Sequence, residues 1–337
     1  MSGKPTLSTV AKEAGVSIPT VSQVLRGTGR ISVATRDKVL QAAKRLHYVP
    51  DSRAASMRSG ENREIGFVIN QLMNPFNAEV VSGVVELLDA EGYLVSIVDT
   101  RDDAERQGRQ LESFIRHGRG GLIWVPAMGT PSETFDLLAA QGIPTVTFLR
   151  NVHPGFDHVG VRNSDATSMA TSYLADLGHR HIAYLGGTDM TLVRKERIEG
   201  YEREMSGRNL GPSVVWPSED SKLAGLDAML ALNRAHSQIT AVICNGDMVA
   251  LGACLALARL GLTPGRDISI IGFDDIQDAA VATPPLTTLA VSPRKLGRKL
   301  ARVMLDRIQD PDMPVTVSEV SAQLIVRETT GAPADVG

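Results

Sequence analysis

From residue 64 onward one pattern recurs, a short apolar run followed by a stretch with helical spacing. The runs read EIGFVIN, YLVSIVD, GGLIWVP, PTVTFL, HIAYLGG, AVICN and ISIIGFDD. Between the first two, Phe76, Val80, Val84 and Leu87 or Leu88 recur with the spacing of an amphipathic helix. Strands that alternate with helices form parallel sheets covered by helices on both faces. The length of this region, 62–330, predicts two such lobes and an α/β fold class. In open sheets of this kind ligands bind beyond the C-terminal strand ends. Those ends hold the residues from Asn70 to Asn74, the stretch after Val125, Asn245 to Asp247, and Asp274 with Asp275. Polar and acidic groups gather there, while the strands themselves are oily.

The first sixty residues follow a different plan. They hold ten Lys and Arg against three acids, which leaves 25 basic and 35 acidic residues in the remaining 277. A small cationic head on an anionic body suits a protein that lays one end on a polyphosphate and keeps the rest away from it. In LSTVAKEAGVSIPTVSQVL, residues Val10, Ala11 and Ala14 share one helical face, Gly15 suits a helix end, and Ser17 is a good N-cap. Pro19 falls in the next first turn, where its missing N–H costs nothing. Val21, Val24 and Leu25 supply the buried side of that second helix, and small Ala11 lets the two helices cross closely. A third amphipathic helix follows Ser32, with Val39, Ala42, Ala43 and Leu46 turned inward. This predicts a helix-turn-helix head. An ordinary three-helix bundle explains the apolar spacing, but not the excess charge or the outward Ile18, Pro19, Thr20, Ser22 and Gln23. Such a face suits a major groove, where side chains meet base edges and phosphates.

These residues carry a resemblance. TVAKEAGVSIPTVSQVLRGTGRISVATRDKVLQAAKRLHYVPDSRAASMRSG resembles the headpiece of LacI/GalR-type transcription regulators. The likeness runs on through IGFVINQLMNPFNAEVVSGV, LGHRHIAYLGG, RIEGY, DMVALGA, ISIIGFDD and PPLTTL, with a faint leaning toward maltose-type regulators in LGGTDMTLVRKERIEGY. It implies a head over 1–50, a hinge helix and linker over 51–61, a two-lobed effector-binding and dimerisation core over 62–330 that resembles periplasmic binding proteins, and a tail over 331–337. By this resemblance Ile18, Pro19 and Gln23 read bases, Thr20 and Ser22 contact phosphates, and Ser17 and Arg30 belong to the same DNA-binding set. Gln23 stands where the family most often has arginine, and glutamine favours adenine over guanine. Arg53, Ala54 and Met57 match the minor-groove hinge helix, Met57 standing where the family usually has a leucine wedge.

In the core the resemblance implies an effector site of Asn74, Phe76, Asp165, Arg197, Asn245, Asp247 and Asp274, suited to vicinal diols because each hydroxyl both donates and accepts. Gly246 departs from the asparagine common there. Other readings stay open: Asp247 and Asp274 as helix caps, Arg197 as part of a solvated charged face, Trp124 as core or as a sugar platform. The partners implied are double-stranded operator DNA, a small sugar-like effector and a second copy of the chain. Surfaces around 74–85 and 101–119 are expected at the dimer contact, and no leucine heptad follows residue 330 to build a tetramer.

No phosphate-binding, zinc-protease, nucleophile-elbow or dinucleotide motif occurs, and His179 and His181 lack the spacing of a helical metal pair. The expectation is a non-enzyme without cofactor or metal. The two cysteines, Cys244 and Cys254, match no metal or disulfide framework and suit packing in a reducing compartment. With neither an export signal nor a membrane-length apolar run, a cytoplasmic protein is expected. The competing function is a sugar-binding module whose basic head meets a protein rather than DNA.

Overall fold

The computed structural model describes residues 4–50, 62–188 and 191–334. The chain divides into two compact units, with the boundary between Asn62 and Arg63.

The first unit holds three helices, α1 (Leu7–Ala14), α2 (Ile18–Leu25) and α3 (Val33–Arg45). Thr6 and Thr9 form a reciprocal capping box at the start of α1, and Gly15 ends it at φ 66°. Ser17 caps α2, its Oγ accepting from the Thr20 amide at 3.3 Å, and Ser32 caps α3 in the same way. Val10, Val21, Val24, Val39, Ala42 and Ala43 form the small core, with Ala11 at the crossing. The outward residues of α2 are therefore a consequence of caps and apolar spacing legible in the sequence.

The second unit contains two sheets. Residues 63–161 supply β1 (Glu64–Ile69), α4 (Pro75–Ala90), β2 (Leu94–Asp99), α5 (Ala104–Arg116), β3 (Gly121–Trp124), α6 (Ser132–Ala140), β4 (Thr145–Phe148) and β5 (Asp157–Val161). The chain then crosses to a second lobe with α7 (Asn163–Asp176), β6 (Ile182–Leu185), α8 (Leu192–Gly207), β7 (Val214–Trp216), α9 (Lys222–Ala235), β8 (Ala241–Cys244), α10 (Asp247–Arg259), β9 (Ser269–Asp274), α11 (Gln277–Val281) and β10 (Thr287–Ala290). It returns through α12 (Pro293–Gln309) and β11 (Val317–Val320) to the first lobe, then crosses again to β12 (Gln323–Ile325). The sheet orders are β11-β5-β4-β3-β1-β2 and β12-β10-β9-β8-β6-β7. All pairings are parallel except β10 with β12. The lobes are thus joined near residues 162, 291 and 321, and the C-terminal strand ends of the two sheets face one cleft.

Every apolar run quoted above forms a strand. The spacing missed β7, β10, β11 and β12 as well as β5, whose DHVGV carries Asp157 and His158 buried. Tertiary partners make this possible: Arg307 donates to both Asp157 oxygens at 2.7 and 3.0 Å, and the Thr316 amide and hydroxyl donate to Oδ1. His158 Nδ1 lies 3.0 Å from the Thr147 hydroxyl. His179 is buried and bridges Thr240, Ser269 and the Gly331 carbonyl at 2.8, 3.0 and 2.9 Å. That last contact ties Gly331 to the second lobe. Trp124 is core, its ring 5.1 Å from Phe135. Cys244 is buried and Cys254 half-buried, both as free thiols. Among the described residues no helix is long and apolar enough to cross a membrane, and no group of three metal-ligating side chains occurs.

Candidate functional site

In the first unit, Ile18, Pro19, Gln23 and Arg30 are exposed, while Val21 and Val24 are buried. Ser17 and Thr20 share a hydroxyl contact of 2.8 Å that fixes the first turn of α2. The Gln23 side chain lies over Gly29, since a β-carbon there would meet Gln23 Cδ and Oε1 at 3.2 Å. Gly29 at φ 83° suits the turn that receives it. Arg53, Ala54 and Met57 lie outside the described residues.

In the second unit, the cleft holds a cavity of about 360 Å3 walled by Asn70, Asn74, Phe76, Arg150, Arg197, Asp220, Asn245 and Asp274, among others. That volume is in the range of small-ligand sites. Asn74 caps α4, with Oδ1 accepting from the Phe76 amide at 3.0 Å, and its Nδ2 donates across the cleft to Asp220 Oδ2 at 3.1 Å. Phe76 stacks on Phe148, their ring centroids 6.2 Å apart.

The opposite wall is built by the RIEGY segment of α8. Gly200 lets α8 approach α7 closely; a β-carbon there would fall 2.0 Å from the Ser164 carbonyl. Tyr201 is buried with its hydroxyl on the Ile182 carbonyl at 2.8 Å. These contacts fix Arg197, whose guanidinium carbon lies 3.5 Å from the centre of the Phe273 ring. Arg197 Nε donates to Asn163 Oδ1 at 2.9 Å, and Nη1 donates to the Asn245 carbonyl. Tyr184 donates to Asn245 Oδ1 at 2.8 Å.

Asp274 closes the cavity at the end of β9, buried and at φ 113°, a strained backbone of the kind held at functional sites. Burial drives its carboxyl well above the usual range, against the pull of Arg197. The same balance lifts Asp220.

Residues 6–51 match the profile of bacterial regulatory proteins of the lacI family, and residues 171–330 match a periplasmic binding protein-like domain. The HTH-type transcriptional repressor PurR of Aliivibrio fischeri (strain MJ11) is 31% identical over 331 residues, covering 96% of this chain and 98% of its own. That of Haemophilus influenzae (strain PittEE) is 32% identical over 330 residues, covering 96% and 98%. The chain belongs to the lacI family. The lac repressor dimer bound to operator and the anti-inducer ONPF superposes with a TM-score of 0.87 at 25% identity, covering 98% of this chain and 100% of that one. The complex of the transcriptional regulator CelR with cellobiose gives 0.71 at 27% identity, covering 96% and 99%.

As a LacI-family protein the chain is a DNA-binding transcriptional repressor with a helix-turn-helix head and a two-sheet, binding-protein-like core. Of the seven effector residues expected from the sequence, the cavity brings together Asn74, Phe76, Arg197, Asn245 and Asp274. It does not take in Asp165 or Asp247. Asp165, in the first turn of α7, borders a separate cavity with Glu196 and Glu319 near two of the interlobe crossings. Asp247 is fully buried and accepts from the Ile276 amide at 2.9 Å and the Thr288 hydroxyl at 2.5 Å, so it ties α10 to the segment after β9. Arg197 is buried rather than part of a solvated face, and Trp124 is absent from the cavity wall.

Sequence reasoning missed Arg150, Asp102, Arg194 and Asp220 in this LacI-family cleft. Arg150 clamps Asp102, Nη2 on Oδ2 at 2.9 Å, and also donates to the Pro126 carbonyl at 2.8 Å. Arg150 and Asp102 follow β4 and β2, apolar runs that the sequence reading identified without marking their ends as ligand-facing. Asp220 lies in a loop with no motif and carries no such signal.

Proposed function

We propose that this repressor acts as a homodimer on a pseudo-palindromic operator, one head per half-site, and that a small sugar-like effector in the cleft controls it. The observation that carries the effector reading is the cavity wall itself, in which buried guanidinium, amide and carboxylate groups converge from both lobes. Each hydroxyl of a polyol both donates and accepts, so a polyol can donate to the acceptors that line this wall. The CelR–cellobiose complex, similar over nearly the whole chain, adds support. Carbohydrate utilisation genes are the targets this reading favours. Ile18, Pro19 and Gln23 read bases, Ser17, Thr20, Ser22 and Arg30 position the head on phosphates, and Arg53, Ala54 and Met57 form the hinge contact. A ligand that favours one cleft closure shifts DNA affinity by its differential binding, and a coupling of about 1–3 kcal/mol gives roughly 5- to 150-fold.

The test is an electrophoretic shift on operator fragments selected from genomic DNA, at two ionic strengths and with a panel of sugars. Affinity is expected to fall by orders of magnitude between low and moderate salt, as phosphate neutralisation requires, and to change with a sugar. Salt-insensitive binding would point to a protein partner for the head instead.

A further inference from the structure

The cavity wall holds buried acceptors that no protein donor reaches among the described residues. Asn77 Oδ1 and Asp220 Oδ1 are buried and accept no hydrogen bond among the described residues. The Asp274 carboxylate, on a residue 7% exposed, likewise meets no donor among them and is held only by nearby charge. The guanidinium groups are already committed. Arg150 donates to Asp102 and the Pro126 carbonyl, Arg197 to Asn163 and the Asn245 carbonyl, and Arg194 Nε to the Gly186 carbonyl at 2.9 Å. A buried acceptor without a donor is costly, so the natural occupant brings donors of its own.

Two of these acceptors converge. A β-carbon on Gly246 would lie 3.1 Å from Asp220 Oδ1 and 3.5 Å from Asp274 Oδ2, so both carboxyls border the same bare stretch of backbone. Gly246 has φ −159°, an extended value that any residue adopts, so the absent side chain leaves space there without being needed for the turn. Across the cleft Asn74 holds Asp220 Oδ2 at 3.1 Å, so Oδ1 is the oxygen left without a donor among the described residues.

We propose that the effector carries a protonated amine seated between Asp220 and Asp274 over Gly246, and that the effector class is therefore an amino sugar. This rests on the sugar-like effector inferred above and makes Asp220 the specificity-determining residue. Burial raises both carboxyls while one guanidinium, Arg197, draws both down, so a second cation relieves the pair. A sugar acid would place like charge against it.

The experiment is calorimetric titration of the full-length protein at neutral pH with matched pairs: glucose and glucosamine, galactose and galactosamine, mannose and mannosamine. Within at least one pair the amine is expected to bind about tenfold tighter, as for a charge-assisted hydrogen bond. Asp220→Asn, which keeps shape and an oxygen for the Asn74 contact, is expected to remove that preference, so that amine and neutral sugar bind within about twofold of each other. Gly246→Ala, which inserts a methyl between the carboxyls, is expected to reduce it as well. If neutral sugars bind as tightly as their amines, the amine proposal fails and the sugar reading stands. If none of the sugars binds while DNA is still held, the sugar reading fails and takes this proposal with it.

Discussion

Asn74 and Asp220 meet across the cleft, the Asn74 Nδ2 donating to Asp220 Oδ2 at 3.1 Å while its Oδ1 caps α4. One side chain thus both starts a helix in the first lobe and touches the second. Asn74→Ala is expected to destabilise the unliganded protein by about 1–2 kcal/mol, the range for a lost N-cap. In a domain of this size that is a fall of about 2–4 °C in Tm per kcal/mol. Thermal unfolding checks it, and an unchanged midpoint would mean that neither contact contributes.

Asp247 is a structural anchor by its contacts. Asp247→Ala would leave the Ile276 amide and the Thr288 hydroxyl without their buried acceptor. A loss of about 1–3 kcal/mol per unpaired group is expected. Conservative Asp247→Asn is expected to lose less, since burial already raises the carboxyl to about 7 and a neutral group is tolerated there. Urea unfolding midpoints of the two variants give the comparison.

His158 is buried in β5, and desolvation lowers its pKa from 6.5 to about 4. Between those values the unfolded chain binds a proton that the folded chain does not, so stability is full above pH 6.5 and is lost as pH falls toward 4. The slope from this residue is at most about 1.4 kcal/mol per pH unit. His158→Gln, which can still reach Thr147, is expected to have a flatter decline in thermal midpoint across that window than the parent. Parallel curves would show that His158 is not the group responsible.

Gln23 is exposed on α2 with its side chain laid over Gly29. Gln23→Arg is expected to move the preference at one base pair of each half-site from adenine to guanine, with discrimination of about 1–3 kcal/mol. Selection from randomised duplexes by parent and variant would reveal it, and identical selected sites would remove Gln23 from base reading.

The alternation of apolar runs and helical spacing was enough to specify seven strands, the two-lobed α/β plan and the strand ends that face the cleft. Caps and small residues were enough for the head: Ser17, Pro19, Ala11 and Gly15 act through the few residues beside them, so their effect is written in the local order. Periodicity describes which side of an element faces inward, and it fails where a polar strand is paid for by distant partners. β5 is such a case, since Asp157 is satisfied by Arg307 and Thr316, more than a hundred residues away.

Membership of the cavity was likewise decided by the tertiary structure. Arg197 and Asp274 carried motifs, but so did Asp247, which became a buried anchor, while Asp165, named from the resemblance alone, borders a cavity near an interlobe crossing. Asp220 had no motif and became a cavity carboxyl because its loop follows β7, an edge strand whose end meets Asn74 of the other lobe. Spacing along one chain fixes an element's faces; only sheet order and the three crossings between lobes decide which loops confront each other, because that contact is set by folding in space and not by separation in sequence.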